Sequence, residues 1–212
     1  MKKIIELIEI LKDSYKDAKC SLDFTTSFEM VVSVILSAQC TDARVNKTTP
    51  SIFKDYSTPE DFATIDIKLL EKLIHPCGFY KNKAKNIQAC AKKLVEEFNS
   101  EVPSNMKDLL TLPGVGRKSA NVILLECFGI CEGVAVDTHA KRVSNRLGLS
   151  SEIDPLKIEK DLIAKIPKEY LKDVNHLFVW HGRYVCTSRS PKCEICSVKK
   201  YCIKYKKDVI IN

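Results

Sequence analysis

The chain has 212 residues, 45% of them hydrophobic, with a formal net charge of +7 and a pI near 8.8. That length and apolar content support one large domain or two small ones with a real core, and exclude a disordered chain. The longest apolar stretch, Met30 to Ala38, is too short to cross a bilayer, so no membrane partner is expected.

In chain order, the opening MKKIIELIEILKDSYK sets Glu6, Glu9 and Lys12 among apolar residues. This is an amphipathic helix rather than the uncharged core of a signal peptide. The expected location is the cytoplasm, on the nucleoid if the source is a prokaryote. Thr26 and Glu29 form a capping-box pair ahead of an apolar run ending near Ser37, whose length favours a buried helix over a strand. Thr58 with Pro59, and later Asp154 with Pro155, read as helix cap and first helical residue. In CGFYKNKAKNI, Gly78 could end one helix while Lys81, Lys83 and Lys85 open the next. Phe79 and Tyr80 sit between. Aromatics among cations suit an element that touches phosphates and wedges into stacked bases, or a hydrophobic staple at a helical corner. Ile87, Cys90, Ala91, Leu94 and Phe98 recur at helical spacing. Ser104 could cap a short helix leading to Leu110. Val134 to Val136 is the one strand-like piece. No repeat or low-complexity linker divides the chain, and the fold class is all-α.

Residues 109–118 read LLTLPGVGRK. Pro113 and Gly114 suit the centre of a type II turn, where the second position needs positive φ. Gly116 gives a further point where backbone can approach a ligand. A helix from Ser119 to Phe128 follows directly, and its N-terminus would offer N–H groups and a positive dipole end to phosphate. An ordinary interhelical turn would look similar; Arg117 and Lys118 shift the reading toward the DNA backbone. Lys118 also has the makings of a nucleophile. An ordinary lysine, with pKa ~10.4, is neutral in only about one molecule in 2,500 at pH 7. A helix N-terminus, an adjacent guanidinium and partial burial each disfavour the ammonium. The candidate second group is Asp137, in VAVDTHAKR, which is also placed to cap the helix Thr138 to Leu147. Both roles hold together only if one carboxylate oxygen stays available.

Cys186, Cys193, Cys196 and Cys202 form a C-x6-C-x2-C-x5-C cluster. A zinc ribbon offers two C-x2-C knuckles and this segment has one, so four-thiolate iron–sulfur ligation fits better. The cluster lies in a basic tract: from His181 to Lys207 the only acid is Glu194. Such a tract attracts phosphate and makes affinity fall with salt. The other six cysteines show no ligand spacing and read as small buried hydrophobes.

Taken together, LSAQCTD at Leu36–Asp42, VNK at Val45–Lys47, CGFYKNKAKNI, LPGVGRKSANV, VAVDTHAKRVSNRLG, HGRYVC and the cysteine spacing resemble the endonuclease III family. These are bifunctional DNA glycosylases of the helix-hairpin-helix superfamily, and the matching segments run in order over nearly the whole chain. The resemblance implies a helical bundle domain over 21–133 that carries the hairpin. It implies a second domain, 1–20 with 134–212, that carries the catalytic aspartate and a [4Fe–4S] cluster on the four cysteines. It places Lys118 on the family's Schiff-base lysine and Asp137 on its catalytic carboxylate. Gln39 falls on the residue that fills the space left by a flipped nucleotide. Phe79 falls on the apolar wedge, where relatives often carry leucine. Gly114, Gly116, Arg117, Arg189 and Lys192 would contact DNA. The implied activity is removal of oxidised pyrimidines from duplex DNA followed by β-elimination at the abasic site, by a monomer. The rival from another class is a non-catalytic DNA-binding module stapled by a metal.

Overall fold

The computed structural model describes residues 1–206. The α-helices run in order α1 Lys2–Ser14, α2 Ser27–Ser37, α3 Asp42–Phe53, α4 Pro59–Thr64, α5 Ile67–Leu73, α6 Tyr80–Glu97, α7 Met106–Leu109, α8 Arg117–Phe128, α9 Thr138–Leu147, α10 Pro155–Lys165 and α11 Lys168–Tyr184, with residues 203–206 also helical. Short 3-10 turns occupy His75–Cys77, Cys193–Ile195 and Lys199–Tyr201, and no strand occurs among the described residues. The chain forms two compact units, Cys20–Ile130 and Met1–Lys19 with Cys131–Asn212. The sequence expectation set the second limit at residue 133.

The first unit is built round α2. Every residue from Phe28 to Leu36 is buried, and a helix buried on all sides must be surrounded by others. Here α3, α6 and α8 pack on it. Its start is fixed by both halves of a capping box: Glu29 N–H donates to Thr26 Oγ1 at 3.2 Å, and Thr26 N–H donates back to Glu29 Oε2 at 3.3 Å. Phe62 on α4 is fully buried, with its ring 5.3 Å from that of Phe28 in an edge contact. One side of α6 is apolar at helical spacing (Ile87, Cys90, Ala91, Leu94) and faces this core.

In the second unit α11 packs against α1 and α9, and α9 against α10. Local charge and ring contacts explain why the N-terminal helix belongs here. Lys12 Nζ lies 3.2 Å from the Asp173 carboxylate, and the Tyr15 ring meets Trp180 edge-on at 6.4 Å. α9 and α11 cross at Gly182, where a Cβ would come within 2.8 Å of His139 Cβ. Only glycine permits that approach.

Two expectations are corrected. Val134–Val136 is buried but belongs to no strand. Its backbone is paired by a side chain instead: Ala135 N–H donates to Asn175 Oδ1 at 2.7 Å, and Asn175 Nδ2 donates to Gly133 O at 3.2 Å. The cap of the short helix α7 is Asn105, not Ser104; its Oδ1 accepts from Asp108 N–H at 2.9 Å.

Replacing Thr26 with alanine removes one arm of the capping box at the head of the central helix. Thermal or urea unfolding is expected to show a loss of about 1 kcal/mol, with Thr26→Ser near wild type.

Candidate functional site

Within the first unit, α7 and α8 form a helical hairpin. Its turn is closed by Val115 N–H donating to Leu112 O at 3.1 Å, with Gly114 at φ +82°. These are the features of the expected type II turn. A Cβ at Gly114 would meet Asn86 Cβ at 3.0 Å and Ile35 Cγ1 at 3.3 Å, so α6 and α2 press on the turn from inside. Gly116 is the N-cap of α8, and a Cβ there would meet nothing within 4 Å. The first intrahelical bond of α8 runs from Ala120 N–H to Gly116 O at 2.9 Å. The N–H groups ahead of it lack intrahelical partners, as at any helix start. Lys118 stands in this first turn and is exposed, where the sequence reading placed it partly buried. The partial burial that the sequence reading invoked is therefore absent at this amine.

Gln39 and Phe79 sit on the same unit. Gln39 follows the C-terminus of α2 with φ +52°, and Phe79 precedes α6 with φ +47°. Both are exposed, Phe79 at 66%. A cavity is lined by Ile35, Ala38, Gln39, Phe79, Asn82, Lys83, Asn86 and Gly114, so three of the expected DNA-contacting residues share one depression. Of the lysines that open α6, Lys81 and Lys85 are exposed. Lys83 is not on the phosphate-facing surface that the sequence suggested: it is buried and donates to two backbone carbonyls.

Asp137 belongs to the other unit, at the N-cap of α9. Its Oδ1 accepts from Ala140 N–H at 2.7 Å, and no other hydrogen bond or ion pair engages the carboxylate among the described residues. The cap therefore occupies one oxygen and leaves Oδ2 for other work. Further along α9, two arginines one turn apart reach the loop after α11. Arg142 Nε donates to Cys186 O and its Nη2 to Gly182 O, both at 2.8 Å. Arg146 Nη1 donates to Thr187 O at 2.7 Å and to Cys186 Sγ at 3.3 Å, and Nη2 to Ser188 O at 2.9 Å. The sequence reading gave these arginines no role. Their i, i+4 spacing on one helical face was the available signal.

Cys186, Cys193, Cys196 and Cys202 all line one cavity, together with Arg146, His181, Lys192, Lys199 and Lys204. No three His, Cys, Asp or Glu side chains converge as on a single metal ion among the described residues. A zinc ion would draw four sulphurs to about 2.3 Å from one point, whereas an iron–sulfur cage holds its thiolates at separated corners. Thiols that ring a cavity without meeting at a point fit the cluster. The cations fit as well, since four thiolates leave the assembly negative. Burial pushes the Cys193 and Cys196 thiols up from their ordinary values, so taking up iron must release their protons. His181 is held neutral by burial, its pKa pushed down to about 4. Its Nδ1 is 2.9 Å from the Tyr15 hydroxyl and its Nε2 3.7 Å from Cys196 Sγ. With Tyr15 as donor, the remaining ring N–H points at the sulphur. Arg189 and Lys192, on the loop between the first two cysteines, are exposed.

Residues 32–168 match the family model described as HhH-GPD superfamily base excision DNA repair protein, and residues 186–202 match the iron-sulfur binding domain of endonuclease III. The chain is 50% identical over 197 residues to endonuclease III of Synechocystis, covering 93% of this chain and 90% of that one. It is 42% identical to endonuclease III of Bacillus subtilis over 203 residues, covering 95% and 92%. Among solved structures it is similar to a trapped covalent intermediate between endonuclease III and DNA with an estranged adenine. The TM-score is 0.92 at 41% identity, over 98% of both chains. The cofactor is a [4Fe–4S] cluster.

Protein purified without oxygen is expected to be brown and to carry iron and acid-labile sulfide in equal amounts. Stoichiometric zinc by elemental analysis, with no iron, would overturn the assignment of the four thiols.

Proposed function

This chain belongs to the endonuclease III family of the HhH-GPD superfamily of base excision DNA repair proteins, and on that premise we propose that its substrate is duplex DNA carrying an oxidised pyrimidine. It is a DNA glycosylase with an associated lyase activity at abasic sites. The same site would accept a duplex whose abasic site is already formed. In this reading the enzyme acts as a monomer and, in a prokaryote, associates with the nucleoid, to which its net charge of +7 would attract it.

The residues take the following roles in this reading. The hairpin turn at Gly114 and Gly116, with Arg117, grips phosphates through backbone N–H groups and charge, and Arg189 and Lys192 hold phosphates on the cluster loop. A base inside the stack hides its sugar carbon, so the damaged nucleotide must swing out. Phe79 wedges into the stack and Gln39 fills the space left behind. The neutral amine of Lys118 attacks C1′ and the base departs with the electron pair of the glycosidic bond. Asp137, through the oxygen its cap leaves available, takes up the proton that the amine sheds. The ring then opens to a Schiff base between Lys118 and C1′. This acidifies the C2′ proton; its removal expels the 3′ phosphate, and water releases the lysine. The cluster supplies a rigid, positively flanked loop and takes no part in these steps.

The observation that carries this reading is the exposed amine of Lys118 in the first turn of α8, directly after a glycine turn built to meet a phosphate backbone. Borohydride trapping on a duplex with one abasic site tests it. Wild type becomes covalently attached to the DNA and Lys118→Ala does not, while Asp137→Asn loses on the order of a hundredfold or more in base excision. Equal trapping by Lys118→Ala would assign the Schiff base to another amine, and no adduct from wild type would leave only a DNA-gripping scaffold.

A further inference from the structure

Lys83 is an ammonium in the wrong place for a DNA contact. It lies within the run of cations that opens α6, yet only 3% of its surface is exposed. No carboxylate pairs with it among the described residues. Its Nζ donates to Leu36 O at 2.8 Å and to Cys77 O at 2.9 Å. Both acceptors are at helix ends. Leu36 lies in the last turn of α2, and Cys77 closes the 3-10 turn His75–Cys77. Carbonyls there have no intrahelical partner and carry the negative end of the helix dipole, which suits a cation. Burial pushes the Lys83 pKa down, and the neighbouring Cys40 and Cys77 oppose that.

What these carbonyls support gives the contact its meaning. Just after Leu36 the backbone turns through Ala38 into Gln39 at φ +52°; just after Cys77 it turns through Gly78 at φ +68° into Phe79 at φ +47°. A non-glycine residue in that region costs roughly 1 kcal/mol and persists only if its surroundings impose it. One ammonium therefore anchors both strained turns from beneath. The thiols of Cys40 and Cys77, one from each turn, also lie close to each other. Gln39, Phe79 and Lys83 border the same cavity.

We propose that Lys83 is a positioning residue for the reaction on duplex DNA: it locks the Gln39 turn to the Phe79 turn, so that wedge and gap-filler enter the stack as one preset unit. The inference rests on the reading of Gln39 and Phe79 given above. It demands a selective defect. A duplex substrate has a stack to open and a gap to fill. An abasic site in a single strand has neither, and tests only the Lys118 chemistry and phosphate binding.

The experiment compares borohydride trapping rates on an abasic duplex and on the same abasic strand unpaired, for wild type, Lys83→Met and Phe79→Ala, well below each protein's melting temperature. Methionine keeps the length and apolar stem of the lysine and removes the donors. Lys83→Met is expected to slow the duplex reaction at least about tenfold, because small displacements of positioning groups are costly, and to leave the single-strand rate within about twofold. A merely structural lysine would lower both rates together or neither, and either result overturns the proposal. Phe79→Ala reads the wedge itself. If it loses nothing selectively on the duplex, the role given to Phe79 fails, whatever Lys83→Met does. Should Lys83→Met not fold, Lys83→Gln, a shorter neutral donor, is judged by the same ratio.

Discussion

Helices end with carbonyl groups that have no partner, and an all-helical chain must find donors for all of them. In this protein, long cationic side chains supply many of these donors from elsewhere in the sequence. Lys83 serves the ends of α2 and the 3-10 turn at Cys77. Arg142 serves Gly182 in the last turn of α11 and Cys186 just after it, and Arg146 serves Thr187 and Ser188. Lys165 donates to Leu149 O at 2.6 Å, just past α9, and Lys141 to Ile153 O at 2.7 Å. Lys83 and Arg142 place a charge where the dipole of a helix end favours it, and several of these bonds fix segments that the proposed chemistry needs in one shape. The basic character of the chain is thus spent partly inward. A count of lysines and arginines overstates the surface left for phosphate.

That division explains which parts of the molecule were legible in the sequence. Helix starts were, because their signals are local: Thr26 with Glu29, Thr58 with Pro59, Asp154 with Pro155 and Asp137 before Thr138 all cap as read. The glycine turn was legible for the same reason, since positive φ at Gly114 is demanded by its own neighbours. What failed depended on distant partners. The apolar VAV looked like a strand, but its hydrogen-bond partner is one asparagine side chain on α11. Lys83 looked like a surface cation because nothing near it reveals that Leu36 will lie within reach. Arg142 and Arg146 were silent because their acceptors are some 40 positions away. Ser104 and Asn105 are both good caps, and only the geometry of the approach to α7 selects the asparagine.

The α9 helix illustrates how one local requirement can serve several ends. Its N-cap needs an acceptor, and Asp137 supplies it with a single oxygen. That bond holds the carboxylate rigid without consuming it, the state a participating carboxylate must be in: placed, but still able to accept a proton. The far half of the same helix grips the cluster loop through two guanidiniums, one of which reaches a ligand sulphur. Loop, cluster ligand and candidate catalyst are thereby referred to one rigid rod of ten residues. On the proposed mechanism the cluster need do no redox work, and its part is to hold the loop that α9 grips.

Backbone strain alone does not mark the turns proposed to contact DNA. Asn99 and Ser100 also have positive φ, yet they simply close the end of α6, where Ser100 N–H donates to Leu94 O at 2.9 Å. They are small and polar, Asn99 is exposed, and the Ser100 hydroxyl donates to Glu60. Phe79 differs in paying twice: its backbone is strained and its ring is 66% exposed. Removing a phenyl ring from water is worth about 1.5–3 kcal/mol, comparable to the cost of parting one base step. A ring held out in water by a stiff, buried anchor has already met its conformational cost before DNA arrives. On the proposed wedge role, the balance on entering the stack would turn on the burial gained, and the anchor beneath the turn would matter as much as the aromatic side chain above it.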